Sequence, residues 1–207
     1  MLDVSQDDLK LAIDTIKKGD IIAAPTDTVY GILADATNEH AIKKVFDLKK
    51  RPPTKPLIVL VSNLEMAKTI AVFTPEIQNT LNFLWEKKKY PITVILKAKD
   101  NISKLITAGG DSVAIRLPNY QFCINLINSI GKPIVAPSAN ISEHNTATSY
   151  KEVEKDFGNT IPIIKSGKCN KQASTIIDIN KYGITLIREG EITKSELEKY
   201  FSIFINK

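Results

Sequence analysis

Two observations in the sequence predict an α/β fold with a mixed sheet. Helix-period and strand-period segments alternate from the N-terminus to about residue 136, and three late strands then follow with a single helix before them, which a strictly alternating doubly wound sheet would not show. No internal repeat, low-complexity tract or linker longer than a loop interrupts the pattern, so residues 1–207 are expected to form one domain.

Each element has a local reason. Ser5, then Asp8, then Leu9, Leu11, Ala12, Ile13 and Ile16 make a capped amphipathic helix, with Gly19 as its stop. A short apolar run predicts a buried strand over 21–24. A helix over about 39–48 and a strand over 57–61 follow by the same periodicity. Helices over 64–70 and 75–85 lead to a strand over 92–96. Next come a strand over 113–117, a helix over 121–130 and a strand over 134–136. The last helix is expected over 150–157, and the late strands over 161–164, 174–179 and 184–187. The run from Glu86 to Lys89 is read as a solvated turn.

Composition narrows the function classes. At 207 residues, 43% of them hydrophobic, the chain can bury about 70% of its unfolded surface without a metal or disulfide staple. Cys123, Cys169, His40 and His144 show no ligand spacing, so neither a zinc site nor a disulfide framework is expected. The start MLDVSQDDLK carries acids and no apolar run, and no window approaches a membrane span, so a soluble cytoplasmic protein without membrane partners is expected. The net charge of +5 and pI near 9.0 permit nucleic acid or a polyphosphate ligand without choosing between them. The 28 basic residues include only three arginines, Arg51, Arg116 and Arg188. Guanidinium offers a rigid fork for carboxylate or phosphate, so these three mark the places where lysine did not suffice.

Five segments set polar residues just beyond apolar strands, where α/β sheets place ligands. Residues 25–31 (PTDTVYG) hold two hydroxyls, a carboxylate and a phenol, which turn chemistry alone reads first as an Asx-type turn. Residues 49–56 (KKRPPTKP) form a stiff cationic loop; they suit an anion, or a helix C-terminus complementing its dipole. Residues 112–118 (SVAIRLP) put Arg116 at the end of an apolar strand, as a ligand group or half of a buried ion pair. Residues 136–142 (APSANIS), followed by Thr146, Thr148 and Ser149, are small and polar, as phosphate nests are and as capped turns are. Residues 174–178 (STIID) and 186–190 (LIREG) complete the set. No Walker loop is present.

Taken in this order, PTDTVYGI, the KxR of Lys49 and Arg51 with PxxxPLIV after it, VAIRLP, the SxN of Ser138 and Asn140, STIID and LIREG resemble the YrdC/Sua5 family, the threonylcarbamoyl-AMP synthases. The resemblance runs from about residue 7 to 192. The glycine usual between the family's Lys and Arg is Lys50, the glycine of its SG is Glu143, and the proline of its RPG is Glu189; Leu60 replaces a polar residue and Glu86–Tyr90 replaces a WPGP-like stretch.

The resemblance implies a single twisted α/β sheet around a large, positively charged cavity, of YrdC/RibB-like type. It also implies synthesis of threonylcarbamoyl-AMP and pyrophosphate from L-threonine, bicarbonate and ATP. The product would pass to a TsaD-type tRNA threonylcarbamoyltransferase complex acting on the adenosine at position 37. By position, Thr28, Arg116, Ala136 and Ser174 match the threonine site. Arg51, Lys55, Ser112, Ala114, Ser138, Thr146 and Arg188 match the ATP site. Lys49, Arg51, Ser138 and Asn140 carry the signature motifs and are the catalytic residues that the resemblance implies. Mg2+ on the phosphates is implied, and no tightly bound organic cofactor.

An anionic carbamate must reach a polyanion in this chemistry, so cations come before any acid or base. On that argument Arg116 forks onto the threonine carboxylate and Arg51 and Arg188 hold phosphates. Lys49 neutralises charge at the attack site, while Ser138 and Asn140 orient the adenylate. The other function class is a non-catalytic RNA-binding or ribosome-assembly module using the same basic cavity; scattered lysines without interleaved aromatics lack the stacking platforms that such binding uses. Weak tRNA contact remains compatible with either class.

Overall fold

The computed structural model describes residues 4–169 and 172–205. The expected single domain over 1–207 also takes in residues 1–3, 170–171 and 206–207, which lie outside the described residues. In chain order the elements are α1 (Gln6–Lys17), β1 (Ile22–Pro25), β2 (Tyr30–Asp35), α2 (Glu39–Lys49), β3 (Ile58–Leu60), α3 (Leu64–Ile70) and α4 (Pro75–Leu81). After α4 come a π-helical turn (Asn82–Lys87), β4 (Ile92–Lys97), β5 (Ser112–Arg116), α5 (Gln121–Ile130) and β6 (Ile134–Val135). The last are α6 (Tyr150–Phe157), β7 (Thr175–Asn180), β8 (Gly183–Arg188), α7 (Lys194–Glu198) and β9 (Ile203–Ile205).

Nine strands make one mixed sheet in the order β1-β2-β6-β3-β5-β4-β7-β8-β9. The pairs β3/β5, β4/β7 and β8/β9 are parallel and the others antiparallel. The mixed sheet is therefore as expected, and α1 begins with the expected capping box, Ser5 and Asp8 each accepting the other's N–H at 3.1 Å.

Several expectations are corrected. Residues 25–31 read as one turn, but Tyr30 and Gly31 open β2, which runs on to Asp35 and is buried along its whole length. Residues 161–164 make only an isolated bridge from Ile163 to Ala23, because Pro162 has no N–H to extend a ladder. The helix expected to reach 85 becomes π-helical at Asn82, a register that lets buried Trp85 donate its indole N–H to the Ile92 carbonyl at 2.9 Å. α7 and β9 had no expected counterpart.

The two faces of the sheet have different fates. Val59, Val94, Val113, Ile115 and Ile177 point into the larger core, against α2 and α3. On the other face, α1 and α5 cover β1, β2 and β6 through Ile16, Leu126 and Ile127 against Ile22, Leu33 and Ile134. Beyond that cover, Ile58, Ile95, Ser112, Ala114, Ile176 and Asp178 are only half-buried. This leaves a concave stretch of sheet between β3 and β8, the place for a ligand.

α2 is capped by Lys50, which holds a left-handed φ of 48° where a Cβ is unfavourable. Lys50→Gly is expected to raise stability by about 0.5–1 kcal/mol, read as a higher urea midpoint at unchanged slope.

Candidate functional site

The site begins with the pleat of β5. A period of two puts Ser112, Ala114 and Arg116 on the concave face while Val113 and Ile115 enter the core. The register sets Ala114 beside Ile58 on β3 and Ile95 on β4. Arg116 is 4% exposed. Its Nη1 donates to Thr28 Oγ1 at 2.7 Å, and its Nη2 reaches Thr26 Oγ1 at 3.4 Å and Asp27 Oδ1 at 3.3 Å. The ion-pair alternative for Arg116 is thus realised, with a partner the sequence reading did not single out. Its Nε is buried without an acceptor, so the guanidinium keeps donor capacity for a ligand.

Pro25 ends β1, and the following turn folds on Thr26, whose hydroxyl donates to the Val29 carbonyl at 2.7 Å and accepts the Thr28 N–H at 3.2 Å. That turn delivers Thr28 and Asp27 to Arg116. The segment after β6 rides along β2: Ile32 N–H donates to the Pro137 carbonyl at 2.9 Å and Ala139 N–H to the Tyr30 carbonyl at 2.7 Å. Ala136 and Ser138 are thereby set opposite the 26–29 turn. Burial pushes the Tyr30 phenol up to about 12, where it stays a neutral donor.

Arg188 reaches the same place through a β-bulge. Leu186 pairs with Ile177, so regular pairing would put Ile187 opposite Ile176. The register slips there and Arg188 takes that position, on the concave face. Its Nη2 donates to the Ser174 carbonyl at 2.7 Å. Burial, then the nearby Arg116 charge, lowers the guanidinium's pKa. Ser174 itself shares a 2.7 Å hydrogen bond with Thr93, a hydroxyl fully buried within an otherwise apolar strand. That misplaced polarity in β4 is the signal by which Thr93 could have been found.

Thr28, Arg116, Ala136, Ser138, Thr146, Ser174 and Arg188 line one small chamber of about 70 Å³, together with Thr26, Tyr30 and Ile58. Thr146 also lines a larger neighbouring cavity of about 940 Å³, bounded by His144, Glu152, Lys155, Asp156 and Lys168, none of them foreseen as site residues. The remaining expected residues line neither cavity. Ser112 and Ala114 lie along the concave face beside Arg116. Arg51 donates from Nε to the Lys55 carbonyl at 3.2 Å and from Nη2 to the Pro56 carbonyl at 2.7 Å, bracing its own loop. Lys55 pairs with Glu143 at 3.2 Å. Asn140 turns its amide onto the Ile141 and His144 carbonyls at 2.8 and 2.9 Å. Lys49 is buried, with its ammonium on the Ser138 and Asn140 carbonyls.

A mixed sheet with one half-open face, two arginines on that face and a small-residue loop after β6 is an arrangement with known counterparts. The Sua5_yciO_yrdC family model, described as "Telomere recombination", matches residues 14–190, and the chain belongs to this family. It is 35% identical over 194 residues to the threonylcarbamoyl-AMP synthase of Pyrococcus abyssi, covering 92% of this chain and 56% of that protein. It is 34% identical over 186 residues to the Aliivibrio fischeri protein of the same name, covering 88% of this chain and 98% of that protein. The chain thus spans little more than half of the first relative and nearly all of the second. The crystal structure of Pyrococcus abyssi Sua5 complexed with L-threonine superposes with a TM-score of 0.89 at 33% identity, over 99% of this chain and 60% of that one. Escherichia coli YciO shares the fold, with a TM-score of 0.78 at 19% identity over 90% of this chain and 91% of that one. Among the described residues, no helix is long and apolar enough to cross a membrane.

Proposed function

We propose that the chain is a cytoplasmic L-threonylcarbamoyladenylate synthase, with a single catalytic domain built around the positively charged concavity. The observation that carries this reading is the convergence of Thr28, Ser138, Ser174, Arg116 and Arg188 on one chamber that shares Thr146 with a cavity of nucleotide size. A relative whose structure holds L-threonine, and relatives named for the synthesis, supply the substrate class.

On this reading the threonine carboxylate meets the Arg116 guanidinium. The threonine amine, carboxylated from bicarbonate with loss of water, presents a carbamate oxygen to the α-phosphorus of ATP. That oxygen forms the new P–O bond as pyrophosphate leaves. Mg2+ arrives with ATP as part of the substrate, and no bound organic cofactor takes part. The difficulty is repulsion between anions, which Arg116 and Arg188 offset at the chamber while Ser138 and Thr146 orient the nucleotide. Arg51, Lys55, Ser112 and Ala114, which line neither cavity, are assigned to the nucleotide by the family resemblance alone. The adenylate would then be handed to a TsaD-type tRNA threonylcarbamoyltransferase complex to make threonylcarbamoyladenosine.

Pyrophosphate release is expected only when threonine, bicarbonate, Mg2+ and ATP are all present, and omission of any one should abolish it. Release independent of threonine would sink the synthase reading, and salt-sensitive RNA binding without turnover would point to the RNA-binding module instead.

A further inference from the structure

The KxR lysine is the most deeply buried charged group among the expected site residues. Lys49 is 1% exposed, among the largest fully buried side chains of the chain. An alkylammonium has three donors. One goes to the Ser138 carbonyl and one to the Asn140 carbonyl, the latter at 2.5 Å. The backbone carbonyl of Lys49 accepts the Ser142 N–H at 2.8 Å. The last residue of α2 is therefore bound at both ends to the turn that carries Ser138, and Ser138 lines the small chamber while Lys49 lines neither cavity.

We propose that Lys49 is a positioning residue, a buried cross-tie between the end of α2 and the 138–142 turn that sets Ser138 at the chamber wall without itself meeting substrate. The proposal deepens the synthase reading and rests on it for the identity of the ligands. Two charged groups act on the ammonium, and a histidine pairs with one of them. Arg51, just past α2, repels it. Asp156 of α6 attracts it while accepting the Ile141 N–H at 3.0 Å, and His144 pairs with Asp156 at 3.2 Å. Burial first, and Arg51 second, bring the Lys49 pKa down to about 7. A neutral amine still donates two hydrogen bonds, so the cross-tie survives loss of the proton.

The test is an NMR titration of the full chain with 13C at lysine Cε. Lys49 is identified as the signal lost in Lys49→Met, or in Lys49→Arg if the methionine variant does not fold. One lysine is expected to titrate near neutrality, and its midpoint is expected to move by less than about one pH unit with saturating Mg-ATP and threonine. A phosphate in contact with the ammonium would raise that midpoint by about two pH units or more. That result, or a Lys49 titrating with the surface lysines, overturns the proposal.

Kinetics gives an independent reading. A folded Lys49→Met should lose at least tenfold in kcat with the KM for ATP changed less than threefold, because misplacing Ser138 costs orientation rather than phosphate binding. A rise in KM for ATP at unchanged kcat overturns it. If the unsubstituted chain shows no threonine-dependent pyrophosphate release, the synthase reading fails, while the ligand-free titration still decides whether Lys49 is the buried tie.

Discussion

Gly190→Ala is expected to cost about 3 kcal/mol or more of stability and to weaken the site with it, seen as a thermal midpoint lower by roughly 6–12 °C. A Cβ at Gly190 would stand 2.3 Å from the Ala173 carbonyl oxygen, 2.6 Å from the Ser174 carbonyl carbon and 2.7 Å from its oxygen. All three are backbone atoms, so no side chain can rotate away. The backbone is itself held in place. Thr175 Oγ1 accepts the N–H groups of Gly190 and Ile192 at 3.0 Å each and donates to the Ile192 carbonyl at 2.5 Å, and Glu191 N–H donates to Ala173 at 3.1 Å. Relieving the clash means parting this turn from the start of β7, and Arg188 anchors on the Ser174 carbonyl within the same turn. Threonine-dependent turnover should therefore fall along with the midpoint. A variant melting within about 2 °C of the parent would mean that the turn yields far more easily than its hydrogen bonds indicate.

The parts of this molecule legible in its sequence are those whose cause is local. α3, α5 and α6 end where their apolar period and flanking residues end, and Arg116 could be found because an arginine closing an apolar strand has few innocent explanations. β2 was hidden because Gly31 reads as the close of a turn, whereas the strand is buried along its whole length, with α2 on one face and α1 on the other. Arg188 was visible as a motif residue, but its direction was not. Simple alternation puts it on the face of Leu186, and only the slip between Ile176 and Ile177 turns it inward. Asp27 could be seen to sit in a turn, yet its pairing with Arg116 joins two segments that no spacing relates. Lys49 shows the limit most sharply. Its charge suits a polyanion, but no spacing shows that its ammonium lies against the Ser138 and Asn140 carbonyls. Lys50 and Glu143 both hold positive φ, 48° and 75°, so these backbone turns form without the residue that makes them easy.

Arg116→Lys is expected to weaken threonine binding by about 10- to 100-fold while leaving the KM for ATP within about threefold, measured by calorimetric titration of threonine and by steady-state pyrophosphate release. The guanidinium spreads its donors over three directions: Nη1 to Thr28, Nη2 to Asp27 and Thr26, and Nε left over inside the chamber wall. A bidentate carboxylate needs two parallel donors, which a planar guanidinium can supply beside its existing ion pair. A lysine at the same position keeps the charge but offers one nitrogen, and the buried Asp27 carboxylate at 7% side-chain exposure would compete for it first. The substitution therefore separates charge from geometry: if net charge alone attracted threonine, lysine would serve. Circular dichroism and a urea midpoint close to the parent's would establish that the ion pair with Asp27 has been kept. Unchanged threonine affinity in such a folded variant would place the carboxylate elsewhere and leave Arg116 as the buried half of a structural pair.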